Sequence, residues 1–462
     1  MSRFSRLGRL CVAGLFFAVP RAVTGQATRC ESSNPESTSQ TTVKLPSGEY
    51  NTFLGKGLVV RCPSKGIVLK ADSAEIYGDE RRIFLVGHVH YNESRLDLVS
   101  DFLTYYEAEE RILAAGNVNG KLPTGSTLVG PQVDYRRVAP RVRTRAQTLA
   151  TGRPTVTIVQ RDKSGKEDPP INVVANTIYM DGDSLIYGSG AVEIKRPEIT
   201  ATSDSAFINT GDETMLLLRT PVVHGTRGRP YKLIGERIDL FAHERKLQRV
   251  LSRVKAQATS QELALTADTI DLRIMNDQLE RAFAWGAGRA HATSPQQNMA
   301  ADSIDVRLPG QRVREVHALR RAFAEGRPDS TKFRADTTDW LRGDTIVAYF
   351  DSLPPVDTTK GPAIRRLISS GHAQAYYNIA VSDTSIHRPG INYVTGRSIT
   401  IDFDQQRVAS IVVEEKVSGV YIEPMADTTQ ARATGQQKPG SPPPTRGRVP
   451  VTPLPPGGVR RP

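Results

Sequence analysis

Apolar residues along this chain come in short bursts two places apart, and a polar residue leads most bursts. Asp72 leads Ala74 and Ile76, Asp101 leads Leu103 and Tyr105, Asn176 leads Ile178 and Met180, and Asp204 leads Ala206 and Ile208. Glu236 precedes Ile238 and Leu240, Asp268 precedes Ile270 and Leu272, and Asp302 precedes Ile304 and Val306. Asp344 with Ile346 and Ala348, Arg397 with Ile399 and Ile401, and a degenerate copy with Pro131 before Val133 and Tyr135 bring the number to ten. Side chains alternate faces along a strand, so this spacing puts anchor and apolar residues on one face of a strand. Intervening positions such as Glu75, Thr104, Asp239, Asp271, Asp305 and Thr400 are polar, which predicts a wet opposite face.

Successive anchors lie 29, 30, 45, 28, 32, 32, 34, 42 and 53 residues apart, so a unit of about 30 residues recurs with insertions. Most units hold a second strand, as in Gly87-His88-Val89, Gly116-Asn117-Val118, Gly190-Ala191-Val192, Gly286-Ala287-Gly288 and Gly371-His372-Ala373. Turn residues such as Gly78-Asp79-Glu80 and Asp181-Gly182-Asp183 separate the two, as an antiparallel meander requires. The repeated acids read as strand-start or turn groups whose carboxylates accept backbone hydrogen bonds. Gly152 to Pro170, Glu325 to Asp339 and Leu353 to Pro362 interrupt the beat and are expected to be exposed loops, where two sub-arrays could meet. Glu31 to Lys44 is rich in Ser and Thr and reads as a flexible lead; after Pro424 the sequence is Pro-rich and too poor in apolar residues to fold. The predicted class is therefore an all-β, elongated antiparallel repeat array with a disordered Pro-rich C-terminal tail.

Composition sharpens this picture in three ways. Of 462 residues only 6% are aromatic, which is thin for one large core and adequate for an elongated one. Arg3, Arg6 and Arg9 precede the uncharged run Leu10 to Val19 and a small-residue exit ending at Ala27, the layout of a secretory signal. Export leaves Cys30 and Cys62 as a candidate disulfide once Cys11 departs with the signal. The net charge of +12 is concentrated at the ends: residues 1–27 carry four arginines and no acid, and residues 425–462 carry six bases against Asp427 alone. About +3 remains for the body, so no nucleic-acid partner is expected.

The run Lys70-Ala71-Asp72-Ser73-Ala74-Glu75-Ile76, then Val86-Gly87-His88-Val89, Leu98-Val99-Ser100-Asp101-Phe102-Leu103-Thr104-Tyr105 and Ala115-Gly116-Asn117-Val118 resembles the OstA-like domain of organic-solvent-tolerance and lipopolysaccharide-transport proteins. The likeness is clearest over residues 67–135, and weaker copies extend to about 424. It implies a twisted, slightly open β jelly roll whose dry faces line a groove for acyl chains, and bridges that stack end to end through their terminal strands. The chain departs from that family in being much longer than the single-domain bridge and in lacking, after residue 424, the membrane barrel of the outer-membrane member.

The expected organisation is a signal over 1–27, a lead over 28–66 holding Cys30 and Cys62, an OstA-like β domain over 67–160, further OstA-like repeats over 171–424, one array or two fused ones, and the tail 425–462. Groove candidates are Ile76, Leu103, Tyr105, Ile178, Ile208, Leu240, Leu272, Val306 and Ile401. Arg136, Arg137, Arg141, Arg143 and Arg145 are the candidates for a phosphate-binding rim. His88 and His90, two apart on a strand, offer a metal pair with no third ligand in view, so no metal or cofactor is expected. No Gly-x-Ser-x-Gly, Walker loop or His-Glu-x-x-His occurs, and the acids recur equivalently rather than forming a unique constellation. The expectation is thus a non-catalytic protein of the periplasm, or one associated with the outer membrane, that binds lipopolysaccharide or a similar amphiphile and pairs end to end with other envelope transport proteins. A structural envelope repeat that binds protein partners and a β-helical carbohydrate-active enzyme are the alternatives.

Overall fold

The computed structural model describes residues 31–33, 39–161, 164–295, 297–328, 335–351, 363–379, 388–404 and 407–424. The expected signal with Cys11, Cys30, Leu353 to Pro362 and the tail from Met425 lie outside the described residues, as does the middle of the Glu325 to Asp339 insertion. Among the described residues, thirty strands form one hydrogen-bonded sheet in which every pairing is antiparallel. The ladder runs without a break between sub-arrays, so the all-β antiparallel array predicted from the two-residue period is the architecture observed.

The sheet is folded lengthwise into two leaves. In the strand Arg82–Glu93, residues Arg82 to Val86 pair with Ser73–Tyr77 in the first leaf, and His90 to Asn92 pair with Ile67–Ala71 in the second. The next strand, Leu96–Tyr106, follows it through both leaves. Elsewhere a pair of short strands replaces one long one, as when Thr214–Leu218 extends the first leaf and Val222–Gly225 the second, both against Ile199–Asn209. The first leaf runs from Ser39–Lys44 to Arg407–Glu414, and the second from Glu31–Ser33 to Ser418–Ile422.

The fold line follows from backbone conformation. Two successive residues adopt positive φ where a strand passes between leaves: Gly87 and His88, Gly116 and Asn117, Gly152 and Arg153, Gly190 and Ala191, Val254 and Lys255, Gly371 and His372. Where one strand continues through both leaves the step is a bulge, and the register slips there, for example between Val86 and Val89 and between Ser370 and Ala373. A bulge bends its strand and raises the local twist. The anchor of the repeat sits directly across from it: a Cβ on Gly87 would overlap the Asp72 carboxylate, and Gly116, Gly190 and Gly371 stand in the same relation to Asp101, Asn176 and Asp344. Even the degenerate copy obeys this, because Pro131 occupies the space above Gly152.

This geometry corrects the role assigned to the anchors. Asp101, Asp204, Asp268 and Asp302 lie in the middle of strands, not at their starts or in turns. Most accept hydrogen bonds from side chains at the bulge, His88 Nδ1 to Asp72 at 2.8 Å, Asn117 to Asp101 at 2.8 Å and Arg219 to Asp204 at 3.0 Å; Asp268 accepts from a backbone amide, that of Gly288. The anchors therefore stay at the solvent-facing ridge while the apolar residues after them turn inward.

Three further expectations change. The Ser/Thr-rich lead contains the strand Ser39–Lys44, which pairs with Tyr50–Gly55, and the insertion Gly152 to Pro170 contains Thr155–Ile158, whose Val156 and Ile158 alternate into the core. Asp239, Asp271 and Asp305 do point away from the core, but they are buried, because arginines fold over them from the same strand, Arg237 on Asp239 and Arg273 on Asp271, and from neighbouring strands, Arg253 on Asp239, Arg249 on Asp271 and Arg281 on Asp305. Cys62 is disulfide-bonded, whereas its expected partner Cys30 lies outside the described residues.

Gly87→Val is expected to lower the thermal midpoint, since a β-branched residue at a left-handed position facing the Asp72 carboxylate costs about 2 kcal/mol or more. Gly288→Ala, where φ is not positive and the nearest atom stands 3.9 Å from a new Cβ, is expected to leave the midpoint nearly unchanged in the same calorimetric scan.

Candidate apolar cleft and its lips

The leaves enclose a single apolar cluster that runs the length of the molecule. Alternation fills it: from Leu96–Tyr106 the inward residues are Leu96, Leu98, Leu103 and Tyr105, and from Ile199–Asn209 they are Ile199, Ala201, Ala206 and Ile208. Each large aliphatic side chain buried this way contributes roughly 2 kcal/mol of transfer free energy. The predicted groove residues Leu103, Tyr105, Ile178, Ile208, Leu240, Leu272, Val306 and Ile401 all belong to this cluster, with exposures of 0 to 8%. Ile76 is half-buried and packs against its margin. These positions thus face inward, and in this conformation they pack against one another.

Opposite the fold line, the two leaves meet at their strand ends and turns, which form a pair of lips. A pocket opens there between Ile171 and Ile199 of the second leaf and Ile208, Met215, Leu240 and Leu247 of the first. Two of the predicted groove residues, Ile208 and Leu240, therefore meet at an opening, with Ile171, Ile199, Met215 and Leu247 as companions that the anchor pattern did not select. Arg196 and Arg245 stand at its rim. Arg196 donates to the Arg245 carbonyl at 2.7 Å and faces Glu198 at 2.7 Å, and Arg245 pairs with Asp168 at 3.2 Å.

Nearer the N-terminal end, the lips are latched by a polar network. Lys65 of the second leaf bonds Glu110 of the first at 2.6 Å and the Tyr105 hydroxyl at 3.0 Å. Arg137 of the first leaf reaches Glu93 of the second at 2.6 Å, Glu110 at 2.7 Å and the Lys65 carbonyl at 3.0 Å. The Tyr135 hydroxyl donates to Glu93 at 2.7 Å, and the fully buried Tyr91 places its own hydroxyl nearby without a hydrogen-bond partner. Beyond the pocket the lips close again through Arg227 with Asp277 and through Gln311, whose amide nitrogen donates to the Arg227 carbonyl at 3.3 Å and whose amide oxygen accepts from the Arg229 backbone N–H at 2.5 Å.

Burial by itself would push the Glu110 carboxyl upward; the bonds from Lys65 and Arg137 outweigh it and hold Glu110 below its ordinary value. For Lys65, burial acts to lower the pKa, but Glu110 and Tyr105 reverse it and the ammonium is held more tightly. Burial, with Glu93 beside it, raises the Tyr91 and Tyr135 hydroxyls, so both are neutral. A carboxyl lowered in the folded state contributes stability above its ordinary pKa and loses it as pH falls through the folded value. A lysine raised in the folded state contributes below its ordinary pKa and loses it as pH rises through the folded one. The latch is strongest across the neutral range and is undone by acid.

The five arginines of the expected phosphate rim do not converge. Arg137 is spent in the latch, Arg136 leans outward toward Asp134, and Arg145 stands 3.9 Å from Asp181. Arg143 donates to the Arg137 and Glu109 carbonyls, and Arg141 is exposed. His88 and His90 bond different acids, Asp72 and Asp97, because the bulge intervenes. No group of three potential metal ligands occurs among the described residues, and no described helix is long and apolar enough to cross a membrane.

No family model matches the chain, and no curated protein matches it. The architecture and the lips therefore carry the argument about function.

The latch residues Lys65, Glu93 and Glu110 sit at strand ends outside the repeating motif, where charged residues flanking turns are their only trace in the sequence, whereas Tyr135 belongs to the degenerate copy led by Pro131. Arg137→Ala is expected to lower stability at neutral pH by about 3 kcal/mol, since it strands Glu93 and Glu110 at a part-buried site. Glu110→Gln is expected to flatten the acid limb of a stability profile measured from about pH 7 to 3.

Proposed function

We propose that this protein is a non-catalytic, exported carrier of lipopolysaccharide-like amphiphiles, taking acyl chains between its two leaves when the lips part. The observation that carries this is the enclosed apolar interior, continuous along the whole array and bounded on one long side by a covalently joined fold line and on the other by polar lips. Acyl chains and aliphatic side chains are interchangeable occupants of such a space, because burial of apolar area is non-directional. Resemblance of residues 67–135 to the OstA-like domain points to the same cargo, and the signal-like N-terminus to the periplasm. Among the described residues the terminal strands Ser39–Lys44 and Arg407–Glu414 each pair on one side only, so end-to-end pairing with other envelope transport proteins belongs to this reading.

A structural repeat with protein partners is the second reading, favoured by the complete packing of Leu103, Leu272 and Val306. The β-helical enzyme depended on parallel coils, and the described pairings are antiparallel.

A photo-crosslinking amino acid at Ile208 or Leu240, in cells making labelled lipopolysaccharide, is expected to capture lipid, while one at the outward Tyr187 captures none. Capture of protein alone from both inward positions would sink the carrier reading in favour of the structural one.

A further inference from the structure

The outer surface of the second leaf carries an aromatic platform next to its last strand. Trp340, Tyr376 and Tyr393 are successive cross-strand partners, and Tyr393 lies opposite Val420 in the edge strand Ser418–Ile422. Trp340 and Tyr376 stack with ring centroids 5.8 Å apart and planes 6° from parallel; Tyr393 and Phe323 flank Trp340 at 6.2 and 6.3 Å. The Arg342 guanidinium lies over the Trp340 ring at 5.6 Å. Leu341 and Ala375, adjacent in sequence, are buried, so the rings face away from the core and stay half-exposed. The platform runs into Val420 and Ile422, exposed at 58% and 56%. Beyond them no described strand pairs with Ser418–Ile422 on its other side. An apolar patch that continues into an unpaired edge invites a partner.

The chain itself supplies a fitting occupant. It leaves this edge at Pro424, two residues after the strand, and residues 425–462 contain nine prolines and no aromatic residue. Proline-rich segments dock on aromatic surfaces because their extended form is already ordered. From the edge strand to Phe323 is four strand spacings, about 19 Å. An extended chain at ~3.1 Å per residue covers that in about six or seven residues. Pro442, Pro443 and Pro444 begin eighteen residues past Pro424, so they reach the rings with slack.

We propose that residues 425–462 fold back onto the Trp340, Tyr376 and Tyr393 platform, with Pro442 to Pro444 against the rings, and thereby cover the open edge Ser418–Ile422. This does not depend on the carrier reading.

The full chain tests it. Trp285→Phe leaves Trp340 as the sole tryptophan, and a fluorescent acceptor amino acid replacing Ser441 reports its distance from the tail. Energy transfer from Trp340 is expected at all protein concentrations. It is expected to be lost in Tyr376→Ser/Tyr393→Ser and, independently, in the variant with Pro442, Pro443 and Pro444 all changed to Ser, with far-UV circular dichroism unchanged. The proline variant decides the matter should the tyrosine variant fail to fold. Transfer that is absent, that survives the proline replacement, or that fades on dilution because another copy's tail supplies the acceptor, would each overturn the proposal.

Discussion

The structure depends on one recurring constraint, the left-handed two-residue bulge faced by an anchor side chain. Without it a meander of this length would form one broad sheet with both faces wet or both sticky. With it, each long strand turns a corner along one fold line, and the inward faces of its two halves confront each other. Glycine at the first bulge position leaves room for Asp72, Asp101, Asn176 or Asp344, and the second position accepts the strain of positive φ in His88, Asn117, Ala191 or His372. Where the first residue is not glycine, as at Arg219 and Val254, the anchor bonds to a longer side chain instead: Asp204 to Arg219 and Glu236 to Lys255.

That corner divides the polar chemistry of the protein into three zones. The ridge holds exposed pairs such as Asp72 with His88, whose stabilising worth in water is small. The outer face of the first leaf holds acids sheathed by arginines, Asp239, Asp271 and Asp305, where bidentate geometry and partial burial make the pairing firmer. The lips hold the part-buried network of Lys65, Glu93, Glu110, Tyr135 and Arg137, in which Arg137 is shared by both carboxylates and its removal leaves Glu93 without a cation. An apolar interior closed by charges instead of by continuous backbone is an interior that can be opened by competing charges or by protonation, and this links packing to the carrier reading.

The two-residue period, the positions of the inward side chains and the Gly-led second strand of many units were legible because they are local and repeat. Leu103, Ile178, Ile208 and Leu272 were placed by counting alone. What was misread was single and non-local. Asp101 looked like a strand-start residue because sequence shows that a polar group interrupts an apolar run, but not that the strand continues through it. Thr155–Ile158 was hidden inside a stretch whose glycine and prolines suggested a loop. Arg137 looked like a member of a basic cluster because Arg136, Arg141, Arg143 and Arg145 are near it in the chain, whereas its partners Glu93 and Lys65 are 44 and 72 residues away.

The sequence by itself determined that this is an antiparallel β array with one dry face, since alternation of side chains is a property of the strand alone. Only the tertiary structure decided that the dry face would be folded on itself, which lips would close it, and which arginines would be spent in doing so. Those outcomes depend on which strand ends come to lie opposite each other, and that is fixed by bends summed over the whole ladder rather than by any local stretch of residues.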